Sequence, residues 1–406
     1  MTLPFSLLDE RGGVLLAKGL TLTSTSQLDA LKQRPQLFVP FEESDAIAKV
    51  LVFGLEELKR RNDTLNVLDD VALQEWMDRP TREISKLSMP DQCDDWIVRL
   101  RGLLGSIAQE SLPADEAKYR LESFGRGLDA WLQPELVQET ATLVLMYRAC
   151  ISTEEYAVLH SLQCAVLAWR LAHILGFTSE QTLSLTMAAA TMNVGMFQLQ
   201  DQLAEQTHPL TDDQRNLIDG HGVESECLLR AVDINDELWL QIVRNHHLEP
   251  DSVPFAQLSV TWQLTLILQR LDRYTASLSP RASRNGLSSK EATRLVLGGN
   301  MSPTDNPVAH ALLNLLGLYP PGTFVRLKSG DLALVLRPGV KASTPVVAIV
   351  VNRIGELLTL PKMVDCAQPE HAVENSIPGS LIKARINVDY MVRRLMYSRT
   401  QAFMSR

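Results

Sequence analysis

The hydrophobic period of the chain changes from helical to strand-like at Tyr319-Pro320-Pro321-Gly322. From about residue 46 to this point apolar residues recur at three- and four-residue spacing, as in helices that bury one face. After it they fall in short β-branched or alternating runs bounded by turn residues, as in strands. One element type cannot satisfy both halves. The chain therefore reads as mainly α, with a helical domain flanked by β-rich modules.

The pattern divides the chain into residues 1–45, a small N-terminal β-rich module; 46–134, a helical connecting region; 135–318, a helical domain; and 319–406, a C-terminal β-rich extension with a closing helix. In the first part, apolar runs at 5–8 and 14–17 flank Asp9-Glu10-Arg11-Gly12-Gly13, a hairpin signal. A short helix is expected at 26–32 and a strand at 37–39. In the second part Val50, Leu51, Leu55 and Leu58 recur at helical spacing, as do Trp96, Leu100, Leu103, Leu104 and Ile107. This is a packing layer or a dimerising one.

The helical domain has marked helix starts. Ser152-x-x-Glu155, Thr211-x-x-Gln214 and Ser288-x-x-Glu291 are capping-box patterns. Val158, Leu162, Val166 and Trp169 form an apolar stripe, and Gly176 is a C-terminal stop. Further helices are expected at about 180–191, 212–230, 236–247, 257–278, 289–297 and 307–316. In the C-terminal part, strands at 323–327 and 332–336 flank the turn Lys328-Ser329-Gly330-Asp331. Residues 346–351 form a β-branched strand, 356–360 pair with it, and the apolar run at 390–396 is a closing helix.

Composition excludes several classes. A chain of 406 residues exceeds one hydrophobic core. A net charge of -9 is a poor basis for binding nucleic acid, which rests on neutralising phosphates. The five cysteines, Cys93, Cys150, Cys164, Cys227 and Cys366, are odd in number, scattered and without a CxxC. That argues against a disulfide framework and a structural zinc site, and fits a reducing cytoplasm. The first residues lack the basic-then-apolar order of a signal peptide. No stretch is read as approaching the ~20 apolar residues of a membrane span. The run at 183–196 is broken by Ser184, Thr186, Thr191 and Asn193. A cytoplasmic protein without a span is expected.

Histidine is the informative residue type. Of the eight, all but His371 precede the change of period. His160, His221, His246 and His247, with Asp272 on a later helix, supply the imidazole and carboxylate groups that hold Fe, Mn or Zn. Ligands from separate helices can converge on a bundle core. Adjacent residues such as His246 and His247 would point about 100° apart on a helix, which works against a shared centre.

The order of the local motifs is similar to that of the HD-GYP family. Leu159-His160-Ser161 matches its first His-bearing helix. An Ala-rich helix follows, ending in Met192-Asn193-Val194-Gly195-Met196 where the family has His-Asp-Ile-Gly-Lys. Leu210-Thr211 then leads to His221, and Asn245-His246-His247-Leu248-Glu249 matches a His-His-Glu motif. Leu271-Asp272-Arg273-Tyr274 matches the helix with a ligand Asp, and Ser279-Pro280-Arg281-Ala282-Ser283-Arg284 a basic segment. The match runs from Tyr156 to about Pro338. It implies a helical HD-type domain and bacterial cyclic-di-GMP signalling.

The departures fall in one place. The family's paired ligands are Met192 and Asn193, its phosphate-holding Lys is Met196, and a Glu one turn before the first His is Tyr156. A thioether suits soft metals, and a carboxamide carries no charge. The Gly-Tyr-Pro loop is missing, since Pro250-Asp251-Ser252-Val253-Pro254-Phe255 leads directly into the next helix. The resemblance thus implies a catalytically inactive pseudo-phosphodiesterase without a cofactor, acting as a regulatory or protein-interaction module. The alternative is a phosphodiesterase with an altered, mononuclear site. Its residual ligands would be His160, His221, His246, His247 and Asp272, and its ion Fe, Mn or Zn. Arg281 and Arg284 are either phosphate-binding or a solvated, mobile basic turn. Candidate partners are a signalling protein, cyclic-di-GMP and a second copy of the chain.

Overall fold

The computed structural model describes residues 7–8, 14–16, 87–250, 253–297, 306–384 and 386–404. The chain divides into two compact units, Met1–Pro80 and Thr81–Arg406. In the first, β1 (Leu7–Leu8) and β2 (Val14–Leu16) pair antiparallel, the strand pairing the sequence predicts. The helix expected at 26–32, the strand at 37–39 and the pattern of residues 46–86 lie outside the described residues.

The second unit is mainly helical, with an antiparallel sheet near its C-terminus. Helix α1 (Met89–Ala108) starts at Ser88, whose hydroxyl accepts the Asp91 N–H, with Pro90 in the first turn. Its apolar stripe buries Trp96, Leu100, Leu103, Leu104 and Ile107. Trp96 meets Phe124 of α2 (Ala114–Leu132) edge-on, with ring centroids 5.3 Å apart. Both helices share one core with the later helices, so the expected boundary at residue 134 falls inside a continuous apolar cluster.

Helix α3 (Glu135–Ile151) leads to α4 (Tyr156–Leu175), which is buried on all sides from Tyr156 to Ala172. The expected stripe understates it: a helix apolar all round is a core helix. By length and composition alone α4 is also long and apolar enough to cross a membrane, which corrects the expectation that no stretch approaches that length, but its burial is that of a core helix. Its C-terminus closes on Gly176 in the left-handed conformation, as the sequence predicts.

Its N-terminus is not a capping box. Ser152 ends α3, and its hydroxyl accepts the Glu154 N–H. Glu155 takes the left-handed conformation (φ 58°), and the first turn of α4 is capped from elsewhere, by Asp201 accepting the Ala157 N–H at 2.8 Å. Residue types alone could not distinguish a box from a chain reversal.

The remaining helices are α5 (Ser179–Thr191), α6 (Phe197–Glu205), α7 (Asp212–Ala231), α8 (Glu237–Asn245), α9 (Val260–Leu278), α10 (Ser289–Leu297) and α11 (Pro307–Leu316). Helix α7 has the predicted Thr211–Gln214 box, and α5 has a second box at Thr178–Gln181. At α10 the Glu291 carboxylate accepts from the Ser288 N–H and hydroxyl. Helix α8 starts on Asp236, which accepts the Trp239 N–H. The short α6 is not visible in the periodicity.

Strands β3 (Phe324–Leu327), β4 (Leu332–Arg337), β5 (Val346–Val351), β6 (Leu357–Asp365) and β7 (Val373–Ile377) form one antiparallel sheet in the order β6-β5-β4-β3-β7. The β3–β4 hairpin and the β5–β6 pairing follow the sequence, while β7 is an addition. Phe324, Leu334 and Ala348 face the helical core; Val325, Ala333 and Val347 face a second small cluster. Burial on both faces explains why β5 is an unbroken apolar run. Helix α12 (Val388–Met404) closes the unit and buries Met391, Val392 and Leu395 in the main core.

Candidate functional site

Helices α7 and α8 bring three histidines together. His221 lies in the middle of α7. Helix α8 ends at Asn245, so His246 caps it and His247 stands in the turn beyond. The 100° divergence expected of helical neighbours is therefore absent, and the two rings lie 4.1 Å apart between centroids. The potential ligand nitrogens of His221, His246 and His247 all lie within 4.8 Å of one another. His221 and His246 are buried and His247 is exposed, so the cluster opens to solvent on one side.

Two glycines let these elements meet. A Cβ on Gly222 would stand 2.9 Å from the Arg244 carbonyl oxygen, so only glycine lets α7 approach the end of α8 this closely. A Cβ on Gly195 would stand 2.8 Å from the Ser225 backbone nitrogen. Glu226 joins the same two helices by accepting from Arg230 and Arg244 at 2.9 and 2.6 Å.

The ring orientations are fixed from behind. His246 Nδ1 lies 2.6 Å from the Val243 carbonyl, and His221 Nδ1 is bonded to the Ile218 carbonyl. A carbonyl oxygen only accepts, so each Nδ1 carries a proton. The two Nε2 atoms then face each other at 3.0 Å. Burial and the neighbouring His247 push His246 down to about 3, and burial lowers His221 as well.

The other two candidate ligands pair with each other. His160 Nε2 lies 2.9 Å from Asp272 Oδ1, with His160 buried and Asp272 nearly so. Thr275 gives its hydroxyl proton to the Leu271 carbonyl at 2.8 Å, so its oxygen accepts from His160 Nδ1 at 3.3 Å. Burial opposes charge on His160, but the adjoining Cys164 and Tyr156 side chains and the Asp272 bond raise it well above the ordinary value. Burial likewise opposes charge on Asp272, and His160 outweighs it and lowers the carboxyl.

Tyr156 stacks on His160, the rings 7° from parallel with centroids 5.5 Å apart. The Arg281 guanidinium sits 5.4 Å from the Tyr156 centroid, a cation–π arrangement, and its Nη2 donates to the Tyr156 hydroxyl at 3.4 Å. Among the described residues its buried Nε has no hydrogen-bond partner.

Met192 is fully buried in the apolar core, and Asn193 is 2% exposed. Among the described residues none satisfies the Asn193 side-chain oxygen. This turn is tied to α7 one turn beyond His221: Ser225 donates its hydroxyl to the Met192 carbonyl and accepts the Gly195 N–H, both at 2.9 Å. Met196 is half-buried at its end.

The basic segment is a hydrogen-bonded turn. Arg281 and Arg284 exchange backbone hydrogen bonds at 2.9 and 3.0 Å, and Ala282 N–H donates to the Ala204 carbonyl at 2.7 Å. Arg284 is exposed and donates to the Ala276 carbonyl; burial, then the adjacent Arg281, lower its guanidinium from the usual value.

The donor set fits one metal ion and not a bridged pair. Three imidazoles converge, whereas the nearby turn offers only the uncharged Asn193 and the Asp272 carboxylate is engaged by His160. Sequence reasoning found all five polar residues but not their partition. It also missed Thr275, Asp201 and Ser225. Gly222, directly after a candidate ligand and inside a helix, was the one available signal of close approach.

No protein-family model matches the chain. By sequence it is similar to the "Cyclic di-GMP phosphodiesterase PA4108" of Pseudomonas aeruginosa, 25% identical over 228 residues, covering 54% of this chain and 55% of that protein. The chain thus spans about half the length of that curated relative. Among solved structures it aligns with Bd1817, a HDG"Y"P protein from Bdellovibrio bacteriovorus, at 12% identity and a TM-score of 0.45, covering 77% of this chain and 93% of that one.

Proposed function

We propose that this chain is a catalytically inactive HD-GYP-like module that takes part in bacterial cyclic-di-GMP-related signalling by binding, without cleaving a phosphodiester. The observation that carries this reading is the Met192-Asn193 turn: two buried, uncharged side chains on the turn bonded to the helix of His221. Phosphodiester hydrolysis by metal ions needs an activated water and stabilisation of charge on the phosphate, and a bridging carboxylate holds two ions close enough for both. An ion held by His221, His246 and His247 would supply Lewis acidity. The chain has no charged group on this turn to hold a second.

Arg281 and Arg284 are the groups for an anionic ligand. Guanidinium forks suit phosphate, the buried Nε of Arg281 lacks an acceptor among the described residues, and an anion relieves the mutual repulsion of the pair. The relative from Pseudomonas aeruginosa makes cyclic-di-GMP the first ligand to try. The free cysteines, four of the five buried, agree with a reducing cytoplasm. A protein partner would read the bound state.

Titration calorimetry with cyclic-di-GMP tests this. Binding by the unaltered chain, abolished in Arg281→Ala/Arg284→Ala, is expected; no binding by either favours a scaffold that acts only through protein contacts. The convergence of three histidines favours a second reading, a mononuclear metal-dependent phosphodiesterase. Hydrolysis in the presence of Fe, Mn or Zn would establish it.

A further inference from the structure

The five polar residues of the site fall into two groups with different chemistry. In His160, Nε2 meets Asp272 at 2.9 Å and Nδ1 meets the accepting Thr275 oxygen at 3.3 Å. Both ring nitrogens are engaged as donors, and no lone pair is left for an ion. Tyr156 covers one face of the ring, held there under Arg281. Asp272 has a cationic partner already. This half of the site is closed on itself.

In the other half the requirement is reversed. His221 and His246 spend their Nδ1 protons on backbone carbonyls, so both Nε2 atoms present lone pairs, and these face each other at 3.0 Å. Two lone pairs at that distance repel unless a cation or a shared proton lies between them. A third imidazole, His247, lies within 4.8 Å and reaches solvent. Backbone bonds to the rear nitrogen are the usual way of orienting a ligating histidine.

We infer that His221, His246 and His247 alone form a neutral, all-imidazole site for one borderline divalent cation of the zinc, cobalt or nickel class, and that Tyr156 and Thr275 have withdrawn His160 and Asp272 from metal binding. Three neutral nitrogen donors select against hard oxygen-seeking ions such as magnesium. The inference rests on the functional reading of this place as an altered centre, and it assigns the residues to separate roles. His160 and Asp272 are a structural pair, with Tyr156 as its positioning residue.

The test is titration of chelator-treated full-length protein with Co(II), followed by its visible absorption bands. One equivalent is expected to bind, unaffected by millimolar Mg(II). His247→Ala removes an exposed ring and should leave the fold intact. Partners behind a ligand are worth about 10–100-fold in metal affinity, so losing a ligand should cost no less. His160→Gln/Asp272→Asn, which keeps a hydrogen-bonded pair, should bind Co(II) within a few-fold of the unaltered chain. Failure of the unaltered chain to bind Co(II) would mean that the facing nitrogens share a proton, and would overturn the inference. So would a second tight equivalent, or loss of binding in the Gln/Asn variant while its melting curve remains cooperative. Cyclic-di-GMP titration of the same samples separates the two proposals. Dinucleotide binding without Co(II) binding removes only this inference, whereas dinucleotide hydrolysis by the Co(II)-loaded protein removes only the non-hydrolytic reading.

Discussion

At the scale of single residues, similar side chains carry opposite burdens. His246 is held neutral by burial, and its ring falls from an ordinary 6.5 to about 3. Between those values the unfolded chain binds a proton that the folded chain does not, so stability is lost as the pH falls through that window. His221 acts in the same direction. His160, raised instead, is charged in both states below pH 6.5 and contributes no slope there. Urea midpoints of metal-free protein are therefore expected to fall between pH 6.5 and 4, and to fall less in His246→Leu. An equal slope in both proteins would contradict this. Asp272→Asn alone leaves a buried imidazolium without its counter-charge and should cost about 3–5 kcal/mol in urea unfolding. The paired His160→Gln/Asp272→Asn variant should recover most of that loss. Candidate identities were legible in the sequence, but the partition was not. His160 and Asp272 are 112 residues apart, and only the packing of α4 on α9 pairs them.

Among the elements, helix ends decide the site. The periodicity located α5, α7, α8 and α9 within a few residues, because Thr, Ser and Asp caps mark their starts. It ran α8 through His247, and that error hid the convergence of the two rings, which requires the helix to stop at Asn245. Ser152-x-x-Glu155 failed for the opposite reason: the right residue types stand where the chain reverses, and α4 takes its cap from Asp201. Gly222 fixes the approach of α7 to α8. Gly222→Ala forces a Cβ against the Arg244 carbonyl, and overpacking of this kind costs about 1–3 kcal/mol. It should also separate His221 from His246, so Co(II) affinity is expected to drop while far-ultraviolet circular dichroism is unchanged. Retention of both stability and Co(II) affinity would show that the close approach is not required.

For the whole molecule, the change of period at residue 319 marks where, among the described residues, helices give way to a sheet. Core sharing was not legible. Helices α1 and α2 looked like a separate layer, yet one apolar cluster runs from Met89 through the helices and one face of the sheet to Leu395. That continuous core, beside a turn that carries the uncharged Met192 and Asn193, goes with a proposed function of binding without hydrolysis. The most direct measurement is a product assay: the full chain incubated with cyclic-di-GMP and each of Fe(II), Mn(II) and Zn(II), with linear dinucleotide and GMP quantified. The expected result is no product above the protein-free control with any metal. Saturable, metal-dependent formation of the linear dinucleotide, lost in His246→Ala, would contradict the proposal.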